Sequence, residues 1–168
     1  EMEGFLSNFK SFIDPKLSRV DEFDHELEQL ILNPHTTRGD SSGSNALDNC
    51  IGGIRGRELW VITGDTGAGK STWANWVTYE QAKKDVPVMI TSFENAPIES
   101  VQQLMRMHLG GDFTKFTTQQ RRQAMVDLGN MPIYIMNHYG ELDREKVIET
   151  VRFSARRYGV KMALIDHL

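Results

Sequence analysis

Of the 168 residues only one is cysteine, Cys50. One thiol excludes an intrachain disulfide and any multi-cysteine zinc site. No activating base stands near it in sequence, so it reads as a small residue on a short helix rather than a nucleophile. Also missing are an apolar run of transmembrane length and the pattern of a signal peptide, so no membrane partner is expected. No internal repeat is visible, and low complexity is confined to one Ser/Gly-rich stretch. Positive charge is scarce: 19 Lys and Arg face 23 Asp and Glu, a net charge of −4. That is not the footprint of a module that holds nucleic acid by surface charge alone. Any contacts with DNA are expected in a local patch, in an assembled channel, or in further sequence. The first residue is Glu1 rather than methionine. A processed, recombinant or interior piece of a longer protein is expected, and the lack of a targeting signal says nothing about compartment.

What the chain does have is Gly64-Asp65-Thr66-Gly67-Ala68-Gly69-Lys70-Ser71. Every fixed position of the phosphate-binding pattern Gly-x-x-x-x-Gly-Lys-Ser/Thr is filled. The glycines let the backbone curl so that several N–H groups face one phosphate chain, and the following helix adds its positive end. Lys70 is placed to neutralise the β- and γ-phosphates, and the Ser71 hydroxyl to ligate Mg²⁺. Gly64 to Thr72 are therefore the candidate nucleotide-binding residues. Glu58-Leu59-Trp60-Val61-Ile62-Thr63 reads as a buried strand entering the loop, and Ser71 to Lys84 as a helix leaving it.

The first forty residues differ in character. Phe5, Leu6, Phe9, Phe12 and Ile13 fall at helical spacing, and Asp14-Pro15 ends that segment. Ser18 is a candidate cap for a second helix carrying Val20, Phe23, Leu27, Leu30 and Ile31 on one face, stopped by Asn33-Pro34. These stripes must be buried on their own domain or on a neighbouring subunit. His35 to Asn45, rich in Thr, Ser and Gly, reads as a flexible linker or surface loop, and Ala46 to Ile51 as a short helix. Residues 1–38 and 39–168 are thus expected to be separate parts.

Beyond the phosphate loop, strands and helices alternate. The strands are Val88 to Glu94, Ile133 to Asn137 and Val160 to Asp166; the helices are Pro97 to Leu109, one capped by Thr117 or Thr118 and ending at Gly129, and Asp143 to Tyr158. Apolar one-run strands between helices imply an α/β fold with a mostly parallel sheet covered on both faces. In such a sheet the ligand crevice lies beyond the carboxyl ends of the strands. Two acids sit there. Asp166 follows Met162-Ala163-Leu164-Ile165, the Walker B pattern that delivers a carboxylate to Mg²⁺. Glu94 ends its strand where a carboxylate can orient and deprotonate an attacking water; a structural acid at a strand end is the alternative. His138 and Tyr139 touch the nucleotide, a neighbouring subunit, or neither, and His167 is placed to stand behind Asp166. Arg121-Arg122 and Arg156-Arg157 read as solvated faces, with an arginine lent to a neighbour's nucleotide as the alternative.

With these residues in view, the chain resembles the DnaB-like group of RecA-fold ring helicases, nearest the Twinkle-type mitochondrial helicases and the phage primase-helicases. Four segments carry the likeness: Leu47-Asp48-Asn49 with Gly52-Gly53-Ile54 and Gly56-Arg57-Glu58-Leu59; the loop Gly64 to Thr72; Thr91-Ser92-Phe93-Glu94; and Met131 to Met136 with His138-Tyr139-Gly140 and Leu164 to Leu168. The resemblance implies a RecA-like P-loop core, ATP or another NTP with Mg²⁺, and Lys70 and Glu94 as catalytic residues. It also implies a homo-hexameric ring, movement on single-stranded DNA at a replication fork, and replication proteins as possible partners. Both the mitochondrial matrix and a phage or bacterial cytoplasm fit. In this group a linker helix before the core packs on the adjacent subunit, where the Val20–Ile31 stripe falls.

The sequence stops two residues past Asp166. The group's later strands, one of which lies between the two Walker strands, have no counterpart, nor do its DNA-contacting loops, γ-phosphate sensor and arginine finger. A core incomplete at its C-terminus is expected, with weak nucleotide binding and little hydrolysis by this chain alone. No primase-like segment is present. A recombinase or circadian-clock-type ATPase shares the core and is the alternative; a non-catalytic ring-assembly module is the alternative of another class.

Overall fold

Val88-Met89-Ile90-Thr91-Ser92 is buried at all five positions, and it forms the centre strand of the sheet. The coordinates, a computed structural model, describe residues 17–33, 38–138 and 143–166. The chain divides into two units, Glu1–Gly39 and Asp40–Leu168.

In the first unit a 3₁₀ turn over Val20–Phe23 leads into α1, Asp24–Leu32, none of whose residues is buried. Ser18 does not cap this helix. The 3₁₀ turn starts after Arg19, which makes no side-chain cap bond, and the α-helix begins only at Asp24. A capping hydroxyl must reach the second or third helical N–H, and Ser18 stands too far back. Asn33 is the C-cap, its N–H donating to Gln29 O. The Phe5–Ile13 stripe with Asp14-Pro15, and Pro34 to Thr37, lie outside the described residues, as do Tyr139, Gly140, His167 and Leu168.

The second unit carries α2 (Asn45–Ile51), α3 (Lys70–Ala82), β1 (Val88–Ser92), α4 (Pro97–Leu109), α5 (Thr118–Asn130), β2 (Ile133–Ile135), α6 (Arg144–Tyr158) and β3 (Met162–Asp166). Their ends follow from local chemistry. Ser44 accepts from Leu47 N to open α2, Pro97 fills the first turn of α4, and Gly110 closes it in the left-handed conformation. Thr117 and Gln120 form a reciprocal capping box for α5. Asp143 caps α6 and Gly159 ends it.

The strands run parallel in the order β2-β1-β3. Ile90 pairs with Ile135 on one side and Leu164 on the other. That row meets Tyr79 of α3, Leu104 and Met105 of α4, and Ala124 and Leu128 of α5 in one apolar cluster. Met89 alternates to the opposite face with Tyr134 and Ala163, where Tyr134 stacks on Tyr158 of α6. Both faces are covered, as an all-parallel sheet requires. A polar chain crosses the three helices of the first face: the Tyr79 hydroxyl lies 3.0 Å from His108 Nδ1, and His108 Nε2 lies 3.3 Å from Asp127. Burial pushes the Tyr79 phenol up from its ordinary pKa.

Two segments depart from the sequence reading. Residues 58–63 are not a strand. Leu59 and Val61 are 89% and 76% exposed, and no described strand pairs with them. Apolar composition suits a segment to burial, but a strand exists only where a neighbour takes its N–H and C=O groups. Here the local bonds are side-chain ones, from Arg55 and Trp60 to Glu58.

The described part of the supposed flexible linker is fixed in place. Asp40 and Ile54 exchange both backbone hydrogen bonds at 2.9 and 2.7 Å. Ser42 is fully buried. Asp48 accepts from the Ser41 hydroxyl at 2.5 Å and from Ser42 N at 2.8 Å; these bonds, Ser41's foremost, hold its carboxyl below the usual range. Gln81 and Lys84, from α3 and just beyond it, both donate to Ser41 O. Serine and glycine signal a loop because they bond locally and accept unusual dihedrals, and the same properties let a loop be pinned.

Candidate nucleotide-binding site

The phosphate loop follows the irregular segment 58–63 and ends in α3. Gly67 and Gly69 take φ of 77° and 84°, a region in which a side chain is strained. Ala68 N donates to Asp65 O at 3.1 Å, closing a turn inside the loop. The first N–H of α3 to find a backbone partner is that of Trp73, on Gly69 O. Those of Lys70, Ser71 and Thr72 precede it, at the helix end where anions bind. Thr72 itself is exposed. The Lys70 ammonium folds back on its own loop, donating to Gly64 O at 2.8 Å and Asp65 O at 2.9 Å. It is thereby held over the ring of backbone made by Gly64 to Lys70.

The sheet brings the second half of the site. Ser71 Oγ donates to Asp166 Oδ1 at 3.1 Å. Asp166 is the last residue of β3 and pairs with Ser92, the last of β1. Phe93 N continues the ladder to Asp166 O at 3.2 Å. Glu94 follows directly, exposed, in a turn where Asn95 N donates to Ser92 Oγ. Lysine, serine and both carboxylates therefore lie at the carboxyl edge of one parallel sheet. His138 stands in the loop after β2, its N–H on Met136 O.

Two polar residues of the site escaped the sequence reading. Asn75 is 4% exposed, one turn after Ser71. Its Nδ2 donates to Ser71 O at 2.9 Å and to Gln103 Oε1 of α4 at 2.8 Å. The phosphate-loop helix is thus tied to the helix that follows Glu94. An asparagine inside a helix otherwise rich in buried positions was the available signal, since such a residue survives burial only with partners.

The donor set fits a magnesium-bound phosphate. A hydroxyl and a carboxylate in contact supply two hard oxygen ligands, and Mg²⁺ otherwise prefers water and phosphate oxygens. Among the described residues no group of three or more His, Cys, Asp or Glu could hold a metal by itself.

A glycine-curled loop at a helix N-terminus, its lysine, and a Ser–Asp pair at the edge of a parallel sheet define the P-loop ATPase class. Residues 41–168 match the family model described as "ATPase: KaiC", and the chain belongs to that family, carrying a RecA-fold ATPase domain. Among solved structures it is similar to the ATPase domain of a DnaB-like replicative helicase, at a TM-score of 0.67 and 19% identity over 87% of this chain and 57% of that one. A second similar structure is a DnaB-like replicative helicase described with its interactions with primase, at a TM-score of 0.67 and 18% identity over 98% of this chain and 42% of that one. At these identities the likeness is one of fold. The chain spans about half the length of the structures it matches.

Proposed function

We propose that the chain is the nucleotide-handling part of a replicative DNA helicase motor, which couples Mg-ATP hydrolysis to translocation on single-stranded DNA and to duplex unwinding. The observation that carries this reading is the 3.1 Å bond between Ser71 and Asp166, residues 95 positions apart that meet beside the phosphate loop. In the proposed assignment, the amides of Gly67 to Thr72 and Lys70 bind the triphosphate. Ser71 and Asp166 hold Mg²⁺, which when bound offsets charge on the β- and γ-phosphates. Glu94 takes a proton from the attacking water. The N-terminal segment, with α1 and its exposed Phe23, Leu27 and Ile31, is the subunit contact of a homo-hexameric ring.

Binding of a fluorescent ATP analogue and steady-state phosphate release test the assignment. Lys70→Ala should weaken binding about 100-fold. Glu94→Gln should leave binding within about twofold and cut hydrolysis by about 10²–10⁴. Equal loss of binding in both variants would overturn the division of roles. Removing the residues before Gly39 should reduce the mass in solution; an unchanged oligomer would remove α1 from assembly.

The family match itself favours a second reading, a RecA-fold ATPase that is not a helicase, such as a recombinase or clock-type ATPase. ATPase assays of the full-length protein with forked and strand-exchange substrates separate the two. Stimulation and unwinding on forks support the helicase; strand exchange supports the recombinase.

A further inference from the structure

The second unit carries a basic and aromatic face that the nucleotide site does not use. Arg144, Lys146, Arg152, Arg156 and Arg157 lie on α6 and Lys161 just beyond it, against two acids on the helix, Glu145 and Glu149. This is a local excess of cations in a chain of net charge −4. All six cations are exposed. Elsewhere exposed cations find carboxylates, as Lys83 does on Glu80, Arg55 on Glu58 and Arg19 on Asp21. Among the described residues none of the six is in an ion pair.

Aromatic rings stand among them. Phe153 is 59% exposed and Tyr158 45%. Phe153 meets Tyr158 edge-on at 6.0 Å between ring centroids, and Tyr158 stacks on Tyr134 of β2 at 4.5 Å and 20°. The rings are held by one another rather than free to rotate. Arg156 and Arg157 follow Phe153 by three and four positions, which makes them its neighbours on the helix surface.

The face is also remote from the ATP site. In a parallel crossover α6 returns the chain to the start of the next strand. Its C-terminal end and Lys161 therefore lie at the amino edge of β3, whereas Ser71 and Asp166 meet at the carboxyl edge. A five-residue strand separates them by about 16 Å.

We propose that this face binds single-stranded nucleic acid, the cations tracking the phosphates and Phe153 with Tyr158 offering a surface on which a base stacks. Held, partly exposed rings among unpaired cations are the arrangement that sequence-tolerant single-strand binding uses. An acidic protein segment would match the charge but not the flat rings. The inference does not rest on the motor reading, because it needs neither nucleotide nor ring.

The test is fluorescence anisotropy of a short labelled oligothymidylate with the full chain at low salt, without nucleotide. Affinity should fall steeply as salt rises. Arg152→Glu with Arg156→Glu and Arg157→Glu should abolish binding. Phe153→Ala should weaken it about tenfold and Phe153→Tyr should restore it. Lys70→Ala should change nothing, which separates this site from the ATP site. All substituted positions are exposed, and unchanged circular dichroism and ATP-analogue affinity verify folding. Binding that survives the triple charge reversal would overturn the proposal. So would equal affinity for polyglutamate, or loss on charge reversal with no effect of Phe153→Ala, either of which marks a general polyanion surface.

Discussion

Residues 40–44 and 58–63 lie on either side of α2 and end opposite to what their compositions suggest. The first, Asp40-Ser41-Ser42-Gly43-Ser44, is all polar residues and glycine. Its Ser42 is wholly buried, and it is bonded to α2, to α3 and to Ile54. The second contains Leu59, Trp60, Val61 and Ile62, yet most of its apolar surface faces solvent. The difference shows that partners, more than hydropathy, decide whether a segment is fixed. Asp48 and Gln81 offer the serine loop complementary groups, while no strand in the described sheet offers 58–63 a ladder.

The comparison can be pressed with substitutions read by thermal and denaturant unfolding. The largest loss is expected where apolar residues have found a core. Ile90→Ala should cost about 2–5 kcal/mol by opening a cavity under α3, α4 and α5. Next comes the serine loop. Gly43 has φ of +96°, and an added Cβ would approach Glu80 Cγ to 2.8 Å. Gly43→Ala should therefore cost about 1–3 kcal/mol from dihedral strain and crowding; a cost near zero would mean that the loop is not pinned.

A smaller effect should be visible through pH. The Asp48 carboxyl is held below its model value of 3.8 by Ser41 and Ser42. A depressed folded value means stability present above about pH 3.8 and lost as pH falls through the lower, folded value. Asp48→Asn should remove that part of the acid sensitivity and little else. Smallest of all, Leu59→Ser should change stability by under about 0.5 kcal/mol. If instead Leu59→Ser destabilises the protein or an oligomer by as much as Ile90→Ala, the open segment has a partner after all.

Much of the second unit was legible because its signals are local. Pro97, Gly110, Thr117, Asp143 and Gly159 set helix ends through caps and dihedrals that depend on a few neighbouring residues. The strands of the sheet were visible as short apolar runs between them. The reading of 58–63 failed because an apolar run does not show whether a neighbouring strand is there. The Ser18 cap failed because a 3₁₀ turn delayed the helix, a choice made by the competition of two hydrogen-bond patterns over four residues. Asn75 and Gln103 were missed because they matter only as a pair across two helices.

The site divides the same way. The sequence by itself determined the phosphate loop, since the curl at Gly67 and Gly69 and the reach of Lys70 are properties of eight consecutive residues. It also determined that Asp166 and Glu94 end apolar strands. Only the tertiary structure decided that β1 and β3 are neighbours in register, with Ser92 beside Asp166. That pairing carries Asp166 to Ser71 across 95 positions, because strand order is settled by which apolar faces can be buried together, and no short stretch of sequence contains that information.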